Sequence, residues 1–249
     1  MNNKKPLFLF LIGVEGSGHH LFQSFLSHFF RSETAIRNGG WLPYFLNRWD
    51  ALQNEQKETR LTLNNQHEIR SEVEKMVAKH VTQTQFIYSS PSFPYGRDRD
   101  TLRRPDIIDM VEILSPYVDF RPIVIHRDPV SCSYSAVRRG FTDNVLHQAR
   151  FVEDNLIFIK QQLEASGLEY RTLSYEDFVA HPNEYQTGLE QWWKVPTESF
   201  QEGLSQIRPS TSKSKIPSDI HAQLEEFFSP MRCKQWNTFL HSNDIRNVD

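Results

Sequence analysis

The chain has little of several things that would otherwise classify it at once. It holds 2 cysteines and 10 glycines in 249 residues. Two thiols in a chain this long make no disulfide framework, so Cys132 and Cys233 are expected to be free and the compartment reduced, most simply the cytoplasm. No apolar run approaches the roughly 20 residues that span a bilayer, so no membrane insertion is expected. Positive charge is not in excess either: 28 Lys and Arg stand against 31 Asp and Glu, a formal net charge of −3. That balance gives no global pull toward nucleic acid or an anionic membrane, and an anion site has to be built locally from loops and helix starts. No repeat is visible, and with 38% hydrophobic residues the chain supports a full core, read as one globular domain over 1–249.

What is present begins at the N-terminus. Lys4 and Lys5 precede the apolar run Leu7 to Val14. A secretory signal needs a cleavage site after such a run, whereas a buried first strand entering a Gly-rich turn accounts for every residue. The apolar positions Leu21, Phe22, Phe25, Leu26, Phe29 and Phe30 then have the spacing of a helix with one face on a sheet. Further along, the pattern predicts a helix over 71–80, strands over 85–89, 122–126 and 170–173, and helices over 106–114, 129–139 and 144–165. A helix ending near Trp193 and another through Leu224, Phe227 and Phe228 follow. Residues 31–70 read as a loop with a short helix. Strands alternating with helices imply a three-layer P-loop-like α/β fold, a central parallel sheet flanked by helices.

Two segments carry the chemistry. GVEGSGHH, Gly13 to His20, lies between the first strand and its helix, where unpaired backbone N–H groups and the helix dipole favour a bound phosphate. Gly13 and Gly18 fit the nucleotide-kinase signature G-x-x-x-x-G-K-[ST], but His19 and His20 stand where its lysine and magnesium-binding hydroxyl belong. A P-loop kinase or NTPase is therefore disfavoured. The second segment, Val124 to Phe141, puts Arg127 at the C-terminal end of a strand, the edge where ligands of parallel sheets bind. Ser131 and Ser135 lie one turn apart on the helix that follows, so both hydroxyls can face one anion. His126-Arg127-Asp128 imitates a protein-kinase triplet, but Ser133 stands where that motif needs asparagine.

Together these segments resemble the family of sulfotransferases that use 3′-phosphoadenosine-5′-phosphosulfate (PAPS). In that family a strand–loop–helix of P-[KR]-S-G-T-T type holds the 5′-phosphosulfate, and an R-[ND]-P-x5-S segment holds the 3′-phosphate. Arg127-Asp128-Pro129 with Ser135 reproduces the second pattern at full spacing. Gly16, Ser17, Gly18, His19 and His20 align with the first. Ser174-Tyr175-Glu176-Asp177 is similar to the family's Y-E-D segment, which implies that Tyr175 lies near the adenine. The resemblance runs from about 7 to 195, with 31–84 unmatched. It implies PAPS as co-substrate, no metal, and transfer of a sulfuryl group to a hydroxyl or amine of a small-molecule or carbohydrate acceptor.

One departure stands out. The family's loop cation aligns with Gly16 and its two threonines with His19 and His20, so the cation comes from a histidine, or from Lys213 or Lys215 in the C-terminal loop, or the protein binds the nucleotide without efficient transfer. An acceptor hydroxyl must also lose a proton, and His20, Glu15 and His19 are the candidate bases nearest the donor phosphate, His20 preferred. Asp98 and Asp100 are further candidates. An acceptor pocket is expected from 31–60 and the 89–96 loop, where Trp41, Tyr44 and Phe93 offer rings for stacking.

Overall fold

The structure is a computed structural model and describes residues 5, 7–29, 35–36, 67–68, 70–71, 74–75, 86–89, 107–207 and 216–247. Its first strand, β1 (Leu7–Ile12), is buried along its whole length, as a run without polar alternation requires. Successive side chains of a strand point to opposite faces, and β1 divides accordingly. Phe8, Phe10 and Ile12 enter one apolar cluster, while Leu7, Leu9 and Leu11 enter a second. Each such fully buried side chain contributes about 1.5–3 kcal/mol relative to exposure.

The chain continues through α1 (His19–Phe29), β2 (Ala35–Ile36), β3 (Phe86–Ser89), α2 (Ile107–Leu114), β4 (Asp119–His126) and α3 (Pro129–Arg138). Then come α4 (Val145–Ser166), β5 (Arg171–Ser174), α5 (Tyr175–Ala180), α6 (Gln186–Trp193), α7 (Thr197–Ser205), α8 (Ser218–Phe227) and α9 (Pro230–Ser242). The five described strands pair in parallel in the order β2-β3-β1-β4-β5. Residues of α2, α3, α4, α8 and α9 fill the first cluster, and those of α1, α5, α6 and α7 fill the second. This is the expected three-layer P-loop-like architecture.

The order of the strands fixes where a ligand can sit. From β1 the chain leaves toward β2 and β3, and from β4 it leaves toward β5, so the connections part between β1 and β4. At such a switch point a crevice opens beyond the carboxyl ends of the strands. Local chemistry starts α3 at that crevice. The Asp128 carboxylate accepts from Val130 N at 3.3 Å and Ser131 N at 3.2 Å, with Pro129 in the first turn, the cap and proline that a helix start favours. Asn144 caps α4 in the same way, and Gly167 ends it in the left-handed conformation.

Several boundaries differ from the sequence reading. β4 begins three residues earlier than expected, because Pro122 lies where β5 does not pair with β4; the β5 register covers Ile123 to His126. A proline is tolerated where the ladder is one-sided. Helices α7 and α9 were not anticipated; Pro230 in the first turn of α9 is the signal that was available. Of the predicted helix over 71–80, residues 71, 74 and 75 are described and helical. Trp41, Tyr44, Phe45, Trp49, Phe93, Tyr95, Asp98 and Asp100 lie outside the described residues, as do Lys213 and Lys215.

Candidate active site

A cleft of about 200 Å³ occupies the crevice beyond β1 and β4. The loop after β1 forms one wall, with Glu15, Gly16, Gly18, His19 and His20; Arg127 just after β4, Ser135 of α3 and Tyr175 of α5 line the rest. The two sequence segments, more than 100 residues apart, thus line a single cavity. They also touch: Arg127 Nη1 donates to the Gly16 carbonyl oxygen at 3.1 Å.

Arg127 is held on every side. Its guanidinium lies over the Tyr175 ring at 4.5 Å, and its Nε is 3.7 Å from Glu176 Oε1. Only 8% of the residue is exposed. A planar guanidinium stacked and tethered in this way is pre-organised for two-point contact with a phosphate. Tyr175 is itself buried and packs beneath Gly18, whose φ is +112° and whose added Cβ would come 2.4 Å from Tyr175 Cδ2. Glycine is required there by both conformation and space.

The loop's polar side chains have separate fates. Ser17 is fully buried and its hydroxyl donates to the Val14 carbonyl at 2.7 Å, so it shapes the turn and does not line the cleft. His19 Nε2 lies 2.9 Å from the Gly13 carbonyl and must donate to it, which leaves Nδ1 as the acceptor nitrogen. Burial, opposed by that hydrogen bond, lowers its pKa from 6.5 to about 4. A neutral imidazole in the position of the kinase lysine brings no charge to a triphosphate, which weighs further against an NTPase. His20, next along α1, is exposed at the cleft. Glu15 accepts from Arg139 Nη1 at 2.7 Å.

The serines of α3 also separate. Ser135 is buried at the cleft wall. Ser131 is not directed there: its hydroxyl donates to Asp128 Oδ2 at 2.7 Å, completing the cap of α3. The two serines, expected to face one anion together, are thus parted: of the pair only Ser135 lines the cleft. In exchange the structure adds Arg138 and Arg139 to the lining. Sequence reading passed over both, although they lie three and four residues beyond Ser135, the spacing that keeps side chains on one helix face. Among the described residues no group of three or more His, Cys, Asp or Glu is placed to hold a metal ion, and no helix is long and apolar enough to cross a membrane.

No protein-family model matches the sequence, and no curated protein matches it. Solved structures do. One that is similar is the sulfotransferase domain of the olefin synthase from Synechococcus PCC 7002, with a TM-score of 0.54 over 97% of each chain at 16% identity. The fold is like that of this sulfotransferase domain. At this level of identity the likeness concerns the sulfotransferase-like fold alone, and it extends over nearly the full length of both chains.

Proposed function

We propose that this chain is a sulfotransferase, a single domain over 1–249 acting in the cytoplasm. Its donor is PAPS, bound across the β1–β4 crevice, and its acceptor is a hydroxyl or amine of a small molecule or carbohydrate. One observation carries the reading. The Gly-rich loop and the R-D-P-x5-S segment converge on one cleft, joined by the bond from Arg127 to the Gly16 carbonyl. Their order along the chain is that of the donor-site motifs the sequence resembles. The sulfotransferase-like fold supports it.

The transfer breaks the S–O bond to the bridging oxygen of the 5′-phosphate and forms a new bond from sulfur to the acceptor oxygen or nitrogen. The leaving 3′,5′-bisphosphate keeps the electron pair, and the acceptor proton passes to a base. This chemistry asks for in-line placement and for donors on the oxygens that gain charge. In this reading the first-turn N–H groups of α1 receive the 5′-phosphate, and Arg127 with Ser135 receives the 3′-phosphate. Tyr175 stacks beneath the Arg127 guanidinium and lies toward the adenine. His20 takes the proton, since His19 is tied to the loop backbone and Glu15 to Arg139. Lys213 and Lys215, outside the described residues, are further candidate contacts to the nucleotide.

Calorimetric titration with adenosine 3′,5′-bisphosphate, with ADP as comparison, tests the reading. The bisphosphate is expected to bind tightly and ADP at least tenfold more weakly, about the worth of one charge-assisted phosphate contact. Arg127→Lys and Ser135→Ala should each narrow that gap. Equal binding of the two nucleotides, or a gap indifferent to both variants, overturns the donor assignment.

A further inference from the structure

Residue 16 is where the resembled loop pattern carries a lysine or arginine, and here no side chain fits. Gly16 has φ +90°, and an added Cβ would lie 2.9 Å from the Cys132 carbonyl oxygen and 3.1 Å from Cys132 Cα. The loop is pressed against α3. That same packing lays it alongside the helix, whose far end carries Arg138 and Arg139 at the cleft. Arg139 is fixed to the loop at the neighbouring position, Nη1 to Glu15 Oε1 at 2.7 Å. An arginine has five N–H donors in a fixed fork, so this bond leaves others to face the cleft, and the side chain is 37% exposed.

We infer that Arg139 supplies from α3 the positive charge that position 16 does not carry, its guanidinium held at the loop by Glu15 and donating to the 5′-phosphate of the nucleotide. The inference rests on the donor assignment proposed above and deepens it. The other described cations at the cleft are placed differently. Arg127 is buried on the Tyr175 ring, beside Glu176, with Nη1 already donating to the Gly16 carbonyl. His19 is neutral and bound to Gly13. Arg138 has no bond to the loop among the described residues. During transfer the bridging oxygen gains charge as the S–O bond breaks, and a guanidinium donating to it stabilises that charge without itself giving up a proton. Glu15 is then a positioning residue, and the role of base falls to His20.

The test separates the two phosphates of the nucleotide. Affinities for adenosine 3′,5′-bisphosphate and adenosine 3′-monophosphate are measured for the wild-type protein, Arg139→Ala, Arg139→Lys, Glu15→Gln and Arg138→Ala. The wild type should prefer the bisphosphate by about tenfold or more, the size of a charge-assisted contact. Arg139→Ala should abolish most of that preference while leaving the 3′-monophosphate affinity nearly unchanged. Arg139→Lys should keep part of it, and Glu15→Gln should reduce it by loosening the tether. Arg138→Ala should weaken both ligands alike. The Glu15–Arg139 pair is partly exposed and contributes little to folding, so loss of selectivity in a protein with unchanged thermal midpoint is not a folding effect. If Arg139→Ala retains the full preference, or Arg138→Ala removes it equally, this inference is overturned while the donor assignment stands. If the wild type does not distinguish either nucleotide from ADP, both fall.

Discussion

At Gly16 a positive φ and a close neighbour act together, and the combination decides which amino acids the loop can carry. Restoring the expected cation by Gly16→Lys would place a Cβ 2.9 Å from the Cys132 carbonyl oxygen at a φ of +90°. Left-handed backbone costs an L-residue about 1–2 kcal/mol and overpacking about 1–3 kcal/mol, so the variant should lose about 2–5 kcal/mol of stability. Urea denaturation measures this. An unchanged midpoint would mean that the loop does not lie on α3 as described. The Gly-rich signature was plain in the sequence, but the reason for glycine at 16 was not, since Cys132 is 116 positions away and on another element. The same holds for His19, which belongs to the motif by sequence yet is withdrawn from it by its bond to Gly13.

At the level of elements, periodicity and capping residues located most helices and strands, because those signals are local. What they missed depends on partners. Trp192 and Trp193 read only as the apolar end of a helix. In the structure their indole N–H groups donate to the Pro122 carbonyl at 3.1 Å and the Arg121 carbonyl at 2.8 Å. These carbonyls belong to the part of β4 that precedes its pairing with β5, so α6 covers β4 before β5 begins. The Arg121 and Arg171 guanidinium groups lie over the Trp192 ring, each at 4.6 Å. Trp193→Phe keeps most of the packing and removes one donor from a part-buried carbonyl, which is expected to cost about 1 kcal/mol. The loss should appear in thermal unfolding, and hydrogen exchange should quicken in β4 near Arg121. Protection unchanged along that strand would show that the indole bond does not hold its early residues.

Across the whole molecule, two buried histidines set the response to acid. Burial is the main cause in both cases, lowering His19 and His126 from 6.5 to about 4. His126, at the end of β4, is further lowered by His241, whose ring it meets edge-on at 5.2 Å, and is partly restored by Asp244 and Asp177. The unfolded chain binds these protons more readily than the folded one between pH 6.5 and 4, so stability falls as pH falls through that window and is unaffected by these groups above it. Each site contributes about 1.4 kcal/mol per pH unit there, about 2 kcal/mol by pH 5. Urea midpoints at pH 7 and 5 should therefore differ strongly in the wild type, and His19→Gln should remove about half of the difference. A pH-independent midpoint would contradict the burial of both rings.

The sequence by itself determined the α/β class, the Gly-rich turn between β1 and α1, and the placing of Arg127 and Ser135 about one strand-to-helix junction, because strand burial, glycine spacing and helix periodicity are carried by residues near one another in the chain. Only the tertiary structure decided which groups share the cleft. It turned Ser131 to the cap of α3 and Ser17 into the loop, and it brought Arg139 to Glu15. The physical reason is that a hydrogen bond or ion pair forms with whatever the fold places within about 3 Å, and packing across a switch point between non-consecutive strands sets that distance with no trace in local sequence.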